Sequence, residues 1–271
     1  SAVNSGGDPM DSAGGFKEFN VAFVGLLGRD TQLTAVEMDA FTNFIMDVTY
    51  PPNPNRPLDN SMTPSQQRGS DIFFTEPTLL GALTCNACHV IDEAAGLFGS
   101  SGLMSTEMET QDFKIPHLRN MYQKVGMFGM PTNDSIIPGD DVHMGDQIRG
   151  FGFIHNGSVD SLFRFHGTPV FNFVTGDVAR RDLEQFMHAM DTNLMPIIGQ
   201  QITLNSKMSA SVLPRINLLI NQAGVNNADL IIKGNVLGEP RGWVRLSNGD
   251  YQSDKSTENT YTPIQLENIA N

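Results

Sequence analysis

The pentapeptide Cys85-Asn86-Ala87-Cys88-His89 decides how this chain is interpreted, and it contains both of the chain's cysteines. A Cys-x-x-Cys-His run is typical of c-type haem attachment, in which two thiols bond the porphyrin and the adjoining histidine ligates the iron. A zinc site would need two further ligands at matching spacing, and the sequence has no second cysteine pair. The sequence therefore predicts one covalent haem c, with Cys85 and Cys88 as anchors and His89 as an iron ligand.

The residues before the motif predict a helix that leads into it. Thr63-Pro64-Ser65-Gln66 supplies a capping residue, a proline at the first helical position and a glutamine at the third. The predicted helix runs to about Phe74 and carries Gly69 and Phe73, a spacing that normally precedes a cytochrome c haem motif. A thioredoxin-like redox site, which follows a strand, is disfavoured by this context.

The rest of the chain is predicted to contain several further elements. A capping box of Thr34 and Glu37 begins the first of them. An Asn248-Gly249 pair predicts a hairpin turn between the last two strands. Helices are predicted at residues 33–50, 158–166, 175–191, 210–222 and 265–270, and strands at residues 229–233, 242–246 and 251–253.

These elements predict a mainly α protein in three parts. Residues 1–60 form an N-terminal segment with one helix and a proline-rich linker, interpreted as a remnant of a preceding module. Residues 61–195 form a cytochrome c-like helical domain around one covalent haem. Residues 196–271 form a small α+β appendage in which we identify no chemistry.

Two further segments carry a family resemblance. The run Phe113-Lys114-Ile115-Pro116-His117-Leu118-Arg119-Asn120 resembles the FKTPTLRN-type segment of bacterial dihaem cytochrome c peroxidases and MauG-like proteins. The stretch 152–162 is similar to that family's YFHDGSVxTL segment, and together with the haem motif the match covers about residues 63–191. The resemblance implies the C-terminal, electron-transfer haem domain of those enzymes. The chain departs from the family in having one haem motif instead of two, and in an insertion at residues 126–149.

The second iron ligand has two candidates. In the resembling family the distal residue, often Met or Tyr, follows the helix after the HDGS segment. Residues 162–170 contain neither, but His166 lies there on the apolar face with Leu162 and Phe165. The alternative is Met127, in a glycine-flanked loop. The sequence leaves both open.

Three residues of the run at 113–120 are assigned a role or a position from the sequence. Arg119 is either a partner for a haem propionate, which suits a bidentate guanidinium, or a surface arginine. The resemblance implies that Pro116 shapes the backbone that accepts the N–H of His89. His117 is interpreted as a surface substitution.

Composition limits the partners. The chain has 17 basic and 30 acidic side chains and a formal net charge of −13, which disfavours nucleic acid and anionic membranes and suits a basic redox protein. No apolar run approaches the roughly 20 residues of a membrane span. Because this type of haem is attached outside the cytoplasm and the chain begins Ser1-Ala2-Val3-Asn4, we expect a mature periplasmic or extracellular protein whose leader has been removed.

The sequence favours an electron carrier with a six-coordinate haem over two alternatives. With two protein ligands on the iron, no substrate site remains and no catalytic residue is assigned. The first alternative is a peroxidase-like enzyme with an open distal face, where His155, His166 or a loop carboxylate would serve as the acid–base group. The second is a haem subunit of an oligomer or larger haem complex.

Overall fold

The computed structural model of the chain describes residues 11–105, 113–126, 150–154, 157, 159–204 and 210–270. These residues group into two compact units. The first unit extends up to Pro51 and resumes over Met62–Asn193, whereas the second comprises Pro52–Ser61 and the residues from Leu194 onward. Every helix in the described part of the chain is too short or too polar to cross a bilayer.

The elements follow in chain order. The helices are α1 (Ser12–Lys17), α2 (Asn20–Gly25), α3 (Ala35–Met46), α4 (Pro64–Thr75), α5 (Leu162–Phe165), α6 (Asp177–His188), α7 (Val212–Gly224) and α8 (Pro263–Ala270). The strands are β1 (Ile91–Asp92), β2 (Leu97–Phe98), β3 (Met104–Ser105), β4 (Phe113–Lys114), β5 (Ile231–Val236), β6 (Glu239–Arg245) and β7 (Tyr251–Ser253).

The prediction of a mainly α fold arranged around a haem is wrong. Of the described residues, 37% are helical and 13% lie in strands or bridges, so the chain is mixed. The antiparallel pairs β1–β2 and β3–β4 lie within the first unit, where only helices and loops were predicted. Each strand in these pairs is two residues long, too short to leave the alternating pattern by which strands are recognised.

The two helices with predicted caps begin as expected. Thr34 caps α3 and Thr63 caps α4, and in each case the third helical residue completes a capping box. Pro64 occupies the first turn of α4 as expected, because proline suits that position. The helix predicted at residues 33–50 ends earlier, at Met46, so its predicted end was four residues too late.

The core of the first unit lies where α4 crosses α6. Gly69 permits the close approach, since a Cβ there would overlap the carbonyl oxygen of Asp182 and lie 2.7 Å from the Cβ of Phe186. Phe73 is fully buried beside Phe186, with ring centroids 5.4 Å apart. Arg68 and Asp182 join the same helices by an ion pair of 2.6 Å. This crossing fixes the end of α4 and therefore the start of the loop that leads to Cys85.

The second unit contains α7, the sheet β5-β6-β7 and α8. The predicted hairpin at Asn248-Gly249 is confirmed, with β6 and β7 paired in antiparallel register from Trp243 opposite Ser253 to Arg245 opposite Tyr251. Its cavity, of about 350 Å³, is open to solvent and lined by the end of α7 and the end of β6.

Candidate functional site

The pentapeptide 85–89 begins with a short 3-10 turn at Cys85–Ala87, closed by the amide of His89, which donates to the Cys85 carbonyl at 2.8 Å. Neither cysteine is in a disulfide, and both are half-buried. Cys85 packs against the hydrophobic core, and its Sγ lies 3.7 Å from the hydroxyl of Thr78. Burial raises the pKa of the Cys85 thiol, an effect that the Thr78 hydrogen bond opposes. The loop thus presents two reduced thiols three residues apart, followed directly by an imidazole.

That imidazole is oriented by backbone. Nδ1 of His89 lies 2.9 Å from the carbonyl oxygen of Gly99 and 3.2 Å from that of Pro116. Since carbonyl oxygens only accept, Nδ1 carries the ring proton and donates to both. The lone pair of the neutral ring is therefore on Nε2, the nitrogen that a metal would use.

Gly99 is placed by the β1–β2 pair and by its own conformation. Its amide donates to the Val90 carbonyl at 2.8 Å, immediately after Phe98 pairs with Ile91. Its φ of +92° lies in the left-handed region, and a Cβ would lie 2.5 Å from Cγ of the buried Leu118. Only glycine places its carbonyl toward His89 here without strain.

His166 is the most deeply buried histidine that the structure describes, with 4% of its surface exposed. It follows α5, which Ser161 caps and which the buried ion pair of Asp160 and Arg164 stabilises at 3.0 Å. The ring lies among three phenylalanines, at centroid distances of 5.7, 5.9 and 5.8 Å: Phe165, Phe171 and Phe173.

The ring of His166 is neutral and incompletely bonded. Its Nδ1 is buried and has no hydrogen-bond partner among the described residues. Burial first, and then the charges of Arg180 and His188, lower the pKa of His166 to about 3. The ring also makes a hydrogen bond with the backbone of Arg180, but the unpartnered Nδ1 still carries a cost of about 1–3 kcal/mol.

The segment after His166 runs beside the segment that leads to the pentapeptide 85–89. The amide of Leu80 donates to the Val170 carbonyl at 2.8 Å, and the amide of Asn172 donates to the Thr78 carbonyl at 2.7 Å. Thr78 in turn contacts Cys85. The phenylalanine cage of His166 and the first cysteine of the motif are therefore joined through these two backbone contacts.

Arg119 lies between two aromatic rings. Its guanidinium carbon is 4.3 Å from the ring centroids of both Tyr50 and Phe98, and its Nη1 donates to Asn193 at 2.7 Å. Burial lowers the pKa of Arg119. Its Nε is buried and has no hydrogen-bond partner among the described residues. Its proposed pairing with a haem propionate stays a prediction.

The sequence reasoning missed Tyr50 and misplaced His117. The interpretation of His117 as a surface substitution is wrong, since it is half-buried and its Nε2 lies 2.9 Å from the hydroxyl of Tyr50. No spacing rule connects residues 67 positions apart, so no sequence signal identified this pair. Met127 and His155 lie outside the described residues.

The residues present fit a c-type haem. Two free thiols, an imidazole with its lone pair on Nε2 and a buried histidine nitrogen without a partner form a suitable donor set. Within the described residues, no group of three or more His, Cys, Asp or Glu side chains is placed to hold a bare metal ion. A haem iron needs at most two protein ligands, because the porphyrin supplies four nitrogens.

No protein-family model, curated protein or solved structure matches the chain. The resemblance to dihaem peroxidases therefore rests on the quoted motifs and stays a prediction.

Proposed function

We propose that the chain is a monohaem c-type cytochrome that transfers single electrons. The observation that carries the proposal is the geometry of His89 within the CNACH loop. Its Nδ1–H donates to two backbone carbonyls, which places the lone pair of the neutral ring on Nε2, and the two thiols lie in the same turn. A histidine ligand whose other nitrogen donates to a backbone carbonyl is the usual arrangement in metalloproteins.

Each residue has a defined task in this proposal. Cys85 and Cys88 would hold the porphyrin through two thioether bonds, one to each vinyl group, with the thiol hydrogen passing to the other vinyl carbon. His89 would ligate the iron. The haem, when bound, supplies an iron that cycles between the ferric and ferrous states. The two backbone carbonyls increase the electron donation of the imidazole, which favours the ferric state.

His166 is the proposed distal ligand, with Met127 as the alternative. The buried Nδ1 of His166 supports it, because ligation would give that ring a reason to occupy an apolar cage. The phenylalanines around it would exclude water from the iron and so favour rapid electron exchange over chemistry on bound oxygen species.

The partner is proposed to be a basic redox protein. The formal net charge of −13 would attract such a partner and accelerate their encounter at low ionic strength. Attachment of haem c outside the cytoplasm makes a periplasmic or extracellular location part of the same proposal.

Optical and low-temperature EPR spectra of the haem-loaded protein test the function. We expect a low-spin ferric haem that is unchanged by cyanide or peroxide, and no charge-transfer band of the kind given by a methionine ligand. If that band is present, Met127 and not His166 is the distal ligand, and the proposed function is unchanged. A high-spin ferric haem that binds cyanide and turns over peroxide would contradict the proposed function as an electron carrier and favour the peroxidase-like alternative.

A further inference from the structure

The carbonyl of Pro116 is the more distant of the two acceptors for the imidazole of His89. It lies 3.2 Å from Nδ1, whereas the Gly99 carbonyl lies 2.9 Å away. A small displacement would therefore break the hydrogen bond to Pro116 first. The Pro116 carbonyl lies in the same peptide plane as the amide of His117. Its orientation therefore depends on how His117 is held.

The side chain of His117 is fixed from both ends. The amide of Arg119 donates to Nδ1 at 3.1 Å, which identifies Nδ1 as the unprotonated nitrogen of the neutral ring. Nε2 then carries the proton and donates to the hydroxyl oxygen of Tyr50 at 2.9 Å. Burial, assisted by nearby positive charges, lowers the pKa of His117 to about 4, so this arrangement of protons holds at neutral pH.

Tyr50, in the N-terminal part of the first unit, contacts both His117 and Arg119. Its ring meets that of His117 edge to face, with centroids 5.3 Å apart, and the guanidinium of Arg119 stacks on its face. Pro51, the next residue, accepts a hydrogen bond from the hydroxyl of Thr192 at 3.1 Å. Contacts at such long sequence separation restrain the turn at Pro116 more firmly than local bonds alone.

We propose that Tyr50 and His117 are positioning residues that hold the Pro116 carbonyl on the proximal imidazole and thereby lower the reduction potential of the haem iron. This inference rests on the proposed function. A carbonyl that accepts from Nδ1 gives the ring more imidazolate character, which stabilises ferric iron. Release of that carbonyl raises the potential.

The test is the reduction potential of haem-loaded Tyr50→Phe, measured by spectroelectrochemistry beside the wild-type protein. The substitution removes one oxygen atom and keeps the ring under Arg119. We expect about a threefold change in the equilibrium constant for reduction, which is a positive shift of about 30 mV for one electron. His117→Leu should shift the potential in the same direction, and the double variant should add little, because both residues act through one carbonyl.

Tyr261→Phe is the matched control. Tyr261 donates a phenol hydrogen bond of 2.8 Å to Glu258 in the second unit, so its loss removes a similar interaction. The potential of this variant should equal that of the wild type. The paramagnetic NMR shift of the His89 ring N–H should move in Tyr50→Phe and not in Tyr261→Phe.

The outcomes separate this inference from the proposed function. A wild-type protein without covalent haem would overturn both. A haem-bearing protein in which Tyr50→Phe keeps the wild-type potential would overturn the positioning role alone. Tyr50→Phe decides the matter if His117→Leu does not fold.

Discussion

The two candidate iron ligands lie in opposite kinds of surroundings. His89 is half-buried, and its Nδ1 is held by the carbonyls of Gly99 and Pro116. His166 is almost fully buried among phenylalanines, and its Nδ1 has no partner in the described part of the chain. The first ring is oriented by directional bonds. The second is confined by packing, and its burial is costly unless a ligand satisfies it.

This difference indicates that the two sides of the iron would have different roles. The hydrogen-bonded side would set the electron donation to the iron, since those bonds act on the ligand's charge. The apolar side would exclude water and close the coordination sphere. Substitutions on the two sides should therefore change different properties of the protein.

Removal of each ring should have the largest and most distinct effects. His89→Ala should reduce the haem content per chain at least about tenfold, because it deletes the ligand beside the attachment site. His166→Phe should retain covalent haem and convert the ferric spectrum from low spin to high spin. Haem content by absorbance and the spin state by EPR measure the two effects.

His188→Gln is the control for the distal side, since His188 is also largely buried but lies on α6 beside Glu184. It should leave the spectrum unchanged. A low-spin spectrum in His166→Phe would move the ligand assignment to Met127 and remove the proposed reason for the buried ring.

Gly99→Ala should have a smaller effect than the loss of either histidine ring. It should destabilise the backbone that positions the acceptor of the His89 Nδ1 proton. The left-handed backbone costs about 1–2 kcal/mol for alanine, and the clash with Leu118 adds about 1–3 kcal/mol. We expect the free energy of unfolding to fall by about 2–5 kcal/mol, measured with urea on the haem-loaded protein.

Gly96→Ala is the matched control for Gly99→Ala. Gly96 has a φ of +73° but open space around its Cβ position, so only the backbone cost of about 1–2 kcal/mol applies. Equal losses in the two variants would show that contact with Leu118 does not hold Gly99 in place.

The smallest effect concerns pH. The pKa of His117 is about 4 in the folded chain and near 6.5 when unfolded, so the unfolded state takes up a proton first as the pH falls. Its contribution makes stability fall from about pH 6.5 to pH 4, with a slope below about 1.4 kcal/mol per pH unit. The pKa of His166, about 3, acts with the same sign until iron occupies its nitrogen.

Urea unfolding of haem-loaded wild type and His117→Gln from pH 4 to pH 7 measures this slope. The variant should have the shallower dependence. An identical dependence in both proteins would mean that His117 is not the group that resists protonation.

Sequence patterns identified the residues that act locally. The capping boxes of α3 and α4 and the Asn248-Gly249 turn depend on neighbours within a few positions, and all three are confirmed. The acceptor at Pro116 was expected from a family motif, and the structure contains that contact. The anchors and ligands of the haem stay predictions.

The rest depended on contacts that no local pattern encodes. Gly99 reaches His89 because of a positive φ within a two-residue strand pair. Tyr50 reaches His117 across 67 positions. The same short pairs, β1–β2 and β3–β4, made the mainly α prediction wrong, since dipeptide strands are defined by their partners and not by their own periodicity.

The intact mass of the protein, produced in a host that attaches haem c, tests the central claim most directly. We predict the mass of the polypeptide plus one haem, retained after acid–acetone extraction and lost in the Cys85→Ala, Cys88→Ala double variant. A wild-type chain at the bare polypeptide mass, or one whose haem is removed by extraction, would contradict the claim that Cys85, Cys88 and His89 form a c-type haem site.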